Sequence, residues 1–151
     1  MDIECHSWDH VHPELEHVAQ QNQIKGNFSQ INTFIDAQFQ FTKAGEYIGE
    51  ILNGKRSTLF TYPYGEFSDN VVNVFLPKFR SRHQFTAVFT TEPKAVSKTD
   101  NFWLLPRYVC GLDWKSPQEL NEILINAQNG PTEWTLSIKK FLRSFVTGFW
   151  K

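Results

Sequence analysis

The chain lacks several features that mark broad classes of protein. Its only two cysteines, Cys5 and Cys110, are too few for a disulfide framework. No run of about 18 apolar residues occurs, so no segment is predicted to span a bilayer. Fifteen basic and sixteen acidic side chains give a formal charge of −1, which predicts no global attraction to nucleic acid or to an anionic membrane. A signal peptide is not recognisable at the start, which slightly favours a cytoplasmic location for the chain as written and leaves the compartment open.

The composition is that of a globular protein, with 40% hydrophobic and 21% charged residues in 151 positions. The aromatic fraction of 15% is high. Most of these rings are expected in the core, although aromatic rings also line sugar-binding grooves. Segments with strand character alternate with segments of helical spacing, which predicts an α/β fold with a largely parallel sheet. The predicted strands are residues 3–5, 57–62, 85–90 and 103–109, and the predicted helices are 13–24, 29–52, 70–79, 116–127 and 132–150.

Histidines are concentrated near the start of the chain. Four of the five lie within twelve positions: His6, His10, His12 and His17. A spacing of four lets His6 and His10 point the same way. Neutral imidazole is the commonest metal ligand in proteins, and a catalytic zinc site takes three protein ligands and water. The neighbouring acids that could add a ligand or orient an imidazole are Asp2, Glu4, Asp9 and Glu14. The alternative is a group of surface or capping histidines.

Residues 3–10, followed closely by Pro13, resemble the second motif of the NodB-like polysaccharide deacetylases (carbohydrate esterase family 4). In that family a strand ends in His-Ser/Thr-x-x-His, and both histidines bind the catalytic metal. The resemblance implies that His6 and His10 are metal ligands, with His12 as an alternative to His10. It also implies a divalent metal, first Zn²⁺, with Ni²⁺, Co²⁺ or Fe²⁺ as alternatives.

Residues 61–65 resemble the third motif of the same family, Arg-x-Pro-Tyr-Gly, with Thr61 at the arginine position. The resemblance implies that Pro63 and Tyr64 form one wall of a substrate groove. It further implies that the backbone N–H of Tyr64 helps to bind the developing oxyanion, which is a role that a rigid turn at a strand end can fill. Taken alone, the same residues would be an ordinary turn.

Weaker resemblances follow along the chain. Asp113 and Trp114 stand near the place of the family's fourth motif, which implies a second wall of the substrate groove. Arg107 would supply the cation that Thr61 does not provide, or it is a structural salt-bridge residue. His83 has no counterpart in the family and is predicted to lie at the surface.

The family's first motif, Thr-Phe-Asp-Asp, supplies the general base and the third metal ligand, and no such pair occurs in this chain. The fifth motif, Leu-x-His, is also not recognisable. The implied fold is therefore a partial, distorted (β/α) barrel of the NodB-homology type that lacks the first strand. We expect residues 1–130 to form the deacetylase-like domain and residues 131–151 to form an amphipathic C-terminal helix packed on it.

The implied function is metal-dependent hydrolysis of the acetamide C–N bond of N-acetylated sugars, in a polysaccharide or its precursor. The partner would be an N-acetylated oligo- or polysaccharide, with no nucleic acid and with the oligomeric state left open. The alternative is a truncated or non-catalytic domain that binds metal or glycan without turnover. A third hypothesis is an unrelated metal-binding α/β protein. The missing aspartates leave it undecided whether this chain is an active hydrolase.

Overall fold

The structure is a computed structural model that describes residues 3–10 and 28–129. The chain divides into two compact units, Met1–Tyr108 and Val109–Lys151. The predicted helices at 13–24 and 131–151 lie outside the described residues, and the domain boundary expected at residue 130 stays a prediction. Within the part that is described, no helix is both long and apolar enough to cross a membrane.

Two short parallel strands form the centre of the first unit. Strand β1 (Leu59–Thr61) pairs with strand β2 (Ala87–Phe89) in a register that sets Phe60 opposite Val88. Isolated parallel bridges extend the pairing on both sides, from Cys5 to Phe60 and from Phe89 to Leu105. The four predicted strand positions therefore lie side by side in sequence order. Parallel neighbours need long crossover connections, and helices occupy those between β1 and β2 and between residue 5 and β1.

A helix, α1, spans residues 34–51, with a π-helical stretch at Gln38–Lys43 between α-helical segments Phe34–Ala37 and Ala44–Ile51. The helix predicted at 29–52 begins later than expected, because Phe28–Gln30 forms a separate 3₁₀ turn and Ser29 is not the cap of the helix. Thr33 is the cap instead, and its hydroxyl accepts the N–H of Asp36 at 3.1 Å.

Packing explains why position 49 of α1 is a glycine. A Cβ at Gly49 would lie 2.9 Å from Cγ of Arg56, so the small residue lets the Arg56 side chain lie against the helix. Glycine destabilises the interior of a helix because its backbone is so free in the unfolded chain. Its presence at position 49 is explained by the close approach of Arg56, since any larger residue would force a shift.

The second helical region, α2, joins β1 to β2. It consists of a π-helix at Val71–Phe75 and α-helical turns at Leu76–Lys78 and Arg80–His83. The Ser68 hydroxyl accepts the N–H of Val71 at 3.2 Å, and Gln84 ends the region with a left-handed backbone. In the second unit, helix α3 spans Pro117–Asn129, and the Ser116 hydroxyl accepts the N–H of Glu119 at 3.2 Å.

Aromatic side chains dominate the core of the first unit, as expected from the composition. The rings of Phe41 and Phe60 have centroids 4.4 Å apart. The fully buried aromatic residues are Phe28, Phe41, Phe60, Tyr62, Phe75 and Phe85. Burial of one such side chain contributes about 1.5–3 kcal/mol, so this cluster is the main source of stability for the short sheet.

His83 belongs to this core, so its predicted surface position is wrong. It is 2% exposed, and its ring stacks on Phe85 with centroids 5.3 Å apart. Nε2 of His83 lies 2.9 Å from the carbonyl oxygen of Leu76, and the N–H of Phe85 donates to Nδ1 at 3.0 Å. Both contacts are satisfied by the neutral ring with its proton on Nε2, and burial lowers the pKa of His83 below its ordinary value.

The turn after β1 contains two left-handed residues. Pro63–Gly65 forms a 3₁₀ turn in which Tyr64 has φ 55° and Gly65 has φ 75°. The N–H of Gly65 donates to the carbonyl oxygen of Tyr62, and that of Glu66 donates to Pro63, both at 3.0 Å. A Cβ at position 65 would collide with the Thr91 hydroxyl. Glycine is therefore required both by the backbone and by the packing.

We predict that His83→Gln lowers the free energy of unfolding by about 1–3 kcal/mol at pH 7.5, because one buried partner loses its hydrogen bond. Burial holds the pKa of His83 below 6.5, so the unfolded chain binds a proton first as the pH falls. The contribution of the neutral His83 ring to the free energy of unfolding is therefore fully present above about pH 6.5. It is lost as the pH falls further, by at most about 1.4 kcal/mol per pH unit for one group. Urea unfolding between pH 7.5 and 5 measures this decline. The variant should decline less steeply, and an equal decline would contradict the assignment.

We also predict that Gly65→Ala destabilises the chain more than Gly54→Ala does. Both residues have positive φ, and the left-handed backbone costs alanine about 1–2 kcal/mol at either position. Only position 65 adds a collision with Thr91, because a Cβ at Gly54 has nothing within 4 Å. Thermal unfolding of the two variants gives the difference directly. Equal losses would show that the contact with Thr91 is unimportant.

Candidate metal and substrate site

Residues 6–10, which we call the histidine segment, directly follow the bridge between Cys5 and Phe60 of β1. The chain leaves the sheet at this point. The N–H of Cys5 donates to the carbonyl oxygen of Leu59 at 3.2 Å, and the N–H of Thr61 donates to Cys5 at 3.1 Å. Beyond Cys5 the chain turns sharply, with positive φ at Ser7 and His10. The Ser7 hydroxyl closes this turn by accepting the N–H of His10 at 2.9 Å. The segment is thus held at a strand end, where functional residues of parallel sheets commonly lie.

His6 is oriented by the main chain of β1. Its Nδ1 lies 2.7 Å from the carbonyl oxygen of Thr61, so Nδ1 carries the proton and Nε2 keeps the lone pair that a metal requires. Partial desolvation of the ring lowers the pKa of His6, and the charges of His10 and Arg107 act in the same direction, against the hydrogen bond to Thr61. His6 is therefore held in the tautomer of a metal ligand, and its neutral form is favoured.

His10 lies between His6 and the turn after β1. Its ring centroid is 4.9 Å from that of His6 and 4.8 Å from that of Tyr64, both in edge-to-face geometry. Tyr64 itself is 71% exposed. The structure thus brings together residues from two motifs that are separated by more than fifty positions. We refer to His6, His10 and Tyr64 as the histidine–tyrosine cluster.

The nearby acids have other partners. One carboxylate oxygen of Glu4 accepts the N–H groups of Thr58 and Leu59 at 3.0 and 2.8 Å, which fixes the start of β1. The carboxylate of Asp9 accepts from the Gln40 side chain at 3.2 Å. Among residues 3–10 and 28–129, no group of three or more His, Cys, Asp or Glu side chains is arranged to hold a metal ion. His12 and Asp2 lie outside the described residues, so the described part supplies two candidate ligands.

The turn after β1 presents its backbone beside the histidines. Pro63 is buried and Tyr64 is exposed, so the turn is anchored on one side and open on the other. The internal hydrogen bonds of the turn use the N–H groups of Gly65 and Glu66, and the N–H of Tyr64 takes part in neither of them. Binding of a developing negative charge by the Tyr64 N–H stays a prediction, as does the groove-wall role of Pro63.

Arg107 is held by backbone contacts. Its Nε donates to the carbonyl oxygen of Thr90 at 2.9 Å, and its N–H donates to that of Glu92 at 2.9 Å. The ion pairs found within the described residues do not include it. Its charge contributes to the lowered pKa of His6, which places it within electrostatic range of the histidines. Both predicted roles of Arg107, as a cation beside the site and as a structural salt-bridge residue, stay predictions.

Asp113 and Trp114 lie in the second unit, where they build a turn. The carboxylate of Asp113 accepts the N–H of Val109 at 2.8 Å, and the carbonyl oxygen of Trp114 accepts the N–H of Gly111 at 2.7 Å. These contacts account for the local conformation of residues 109–114. The predicted role of both residues in a substrate groove stays a prediction.

A group of aromatic rings beside the histidine segment was not predicted from the sequence. The ring of Trp8 lies 5.2 Å from that of Phe39 and 5.5 Å from that of Tyr47. Trp8 is 42% exposed and Tyr47 is 53% exposed. The available signal was the eight-residue spacing of Phe39 and Tyr47, which places both on one face of a helix. Exposed rings of this kind can stack on the apolar face of a sugar.

Comparison with known proteins does not extend these findings. No protein-family model matches the chain, and neither a curated protein nor a solved structure matches it. Membership of a family therefore stays a prediction from the resemblance of residues 3–10 and 61–65.

Proposed function

We propose that the chain is a metal-dependent deacetylase domain that acts on N-acetylated sugars of a polysaccharide or its precursor. The observation that carries the proposal is the histidine–tyrosine cluster, in which His6 is oriented by the Thr61 carbonyl oxygen at 2.7 Å and His10 lies 4.8 Å from the Tyr64 ring. Two motifs that resemble one enzyme family are thus adjacent in space.

The proposed metal ligands are His6, through Nε2, and His10. Imidazole nitrogen suits Zn²⁺, with Ni²⁺, Co²⁺ or Fe²⁺ as alternatives. Such an ion, when bound, polarises an acyl oxygen and lowers the pKa of a water molecule. A third protein ligand is needed to complete the usual catalytic set, and it has to come from outside the His6–His10 pair.

The other residues of the site would act on the sugar substrate. The N–H of Tyr64 would donate to the acetamide oxygen as negative charge develops there, and removal of one such donor typically costs about 10²–10³ in rate. Pro63 and Tyr64 would form one wall of the groove, and Trp8 offers an exposed ring for stacking. The charge of Arg107 would favour negative charge near the cluster.

A second candidate function is binding of metal or glycan without turnover. The observation that favours it is the engagement of Glu4 with two backbone N–H groups, which removes one of the two described acids nearest the histidines from the role of base. Absence of a general base typically costs about 10²–10⁴ in rate. The two candidates share the same metal ligands and differ only in catalysis.

We predict that Zn²⁺ binding, measured by isothermal titration calorimetry, weakens at least about tenfold in His6→Ala and in His10→Ala, since each removes a ligand. Glu4→Gln serves as the matched control, because the amide oxygen of glutamine keeps an acceptor for the N–H groups of Thr58 and Leu59 while the negative charge is removed, so the affinity should be unchanged. His12→Ala tests the alternative second ligand. Affinity that is unaffected by His6→Ala would contradict the proposed site.

Acetate release from an N-acetylated chitooligosaccharide separates the two candidates. Release by the wild-type chain with Zn²⁺, abolished in His6→Ala, would establish the deacetylase and would require a substitute for the missing aspartates. Zn²⁺ binding that depends on His6, without release of acetate, would establish the binding function instead.

A further inference from the structure

Helix α2 carries a local concentration of positive charge. Its last two turns contain Lys78, Arg80 and Arg82, all of which are exposed. No acidic residue occurs between Asp69 and Glu92. The chain as a whole is nearly neutral, so the positive charge is a property of this surface and not of the whole protein.

Each of the three cations lies over an aromatic ring. Lys78 is 5.6 Å from the ring centroid of Phe79, and Arg80 is 6.0 Å from that of Trp103. The guanidinium of Arg82 lies 5.7 Å from Phe79 and 5.6 Å from Phe34. Contacts of this kind contribute about 0.5–1 kcal/mol each at exposed sites, so the rings hold the cations in place at the surface.

The rings beneath the cations form one continuous row. Phe34 contacts Phe79 at 4.8 Å, and Phe79 contacts Phe75 at 5.4 Å. Phe75 contacts His83 at 6.0 Å, and His83 contacts Trp103 at 5.8 Å. The rings that support the three cations are therefore linked to one another, through the buried side chains of Phe75 and His83. We refer to Lys78, Arg80 and Arg82, with the rings that support them, as the basic row.

The charges of the basic row are not neutralised within the described residues. The ion pairs there join Arg56 to Glu46 and Lys94 to Asp100, and they include none of the three cations. Arg56 lies next to the row, where it donates to the carbonyl oxygen of Arg82 at 3.3 Å, but its own charge is paired with Glu46. The three positive charges are thus available to an external anion.

Exposed apolar side chains lie at both ends of the basic row. At one end Phe34 is 38% exposed and the adjacent Ile35 is 65% exposed. At the other end Phe102, which precedes Trp103, is 65% exposed. Cations combined with exposed apolar and aromatic side chains match the interface of a bilayer, where headgroup phosphates and acyl chains are both within reach.

We infer that the basic row binds the surface of a bilayer that contains anionic phospholipids. Single-stranded nucleic acid fits less well, because bases bind by stacking on free aromatic faces, and here cations lie over the rings of Phe34, Phe79 and Trp103. The inference does not depend on the proposed deacetylation. It would bring the chain to a membrane surface.

The test is co-sedimentation of the full chain with vesicles of phosphatidylglycerol and phosphatidylcholine, compared with vesicles of phosphatidylcholine alone. We expect binding to the anionic vesicles only, reduced as sodium chloride is raised, because exposed charges are screened. The combined variant Lys78→Gln, Arg80→Gln and Arg82→Gln should bind about one hundredfold more weakly, since each cation contributes a factor of about five near an anionic surface.

A control variant removes the same number of charges elsewhere, with Lys43→Gln, Lys55→Gln and Lys98→Gln, which are all exposed positions. It should bind the anionic vesicles within about threefold of the wild type. Circular dichroism establishes that both variants are folded, and the salt and lipid dependence of the wild type tests the inference even if a variant does not fold.

Three results would overturn the inference. The first is equal binding of the wild type to anionic and neutral vesicles, and the second is equal loss of binding in the two variants. The third is binding to a single-stranded oligonucleotide, at equal phosphate concentration, that is as strong as binding to the anionic vesicles.

Discussion

Two backbone hydrogen bonds join Cys5, directly before the histidine segment, to strand β1, one from Cys5 to Leu59 and one from Thr61 to Cys5. The rest of the candidate site depends on this pairing, because residues that pair across parallel strands leave the sheet at the same edge. His6 and Thr61 therefore emerge together, and the turn at residues 63–65 follows directly. Glu4 reinforces the pairing by accepting the N–H groups of Thr58 and Leu59, at the start of β1. Without this short stretch of sheet, the two motifs would have no reason to meet.

Much of this arrangement could be predicted from the sequence. The strand positions at residues 57–62 and 85–90 are rich in β-branched and aromatic side chains, and the structure places β1 and β2 inside them. The turn at 63–65 was recognisable because Pro63 and Gly65, two positions apart, are both residues that favour turns. The spacing of His6 and His10 was sufficient to predict that their side chains lie together. The predictions that the structure confirms thus depended on the residue types of short segments and on spacings of a few residues.

The remainder depended on contacts between distant residues. His83 stands among arginines, which is typical of a surface helix, and only its packing on Phe85 and its bond to Leu76 explain its burial. Ser29 and Thr33 are both good helix caps, and the 3₁₀ turn at 28–30 decides between them. Likewise, no local pattern connects Arg107 to the carbonyl oxygen of Thr90, because the contact joins two neighbouring strand segments.

The contact that orients His6 has a consequence for how the chain can change by mutation. Its acceptor is the main-chain oxygen of residue 61, which every amino acid possesses. Substitution of the side chain at this position therefore leaves the acceptor in place, provided that β1 keeps its register. The charge and size of the side chain at position 61 can therefore change while the geometry of the His6 ring is preserved. The orientation of the His6 ring and the local charge at position 61 can in this way change independently of one another.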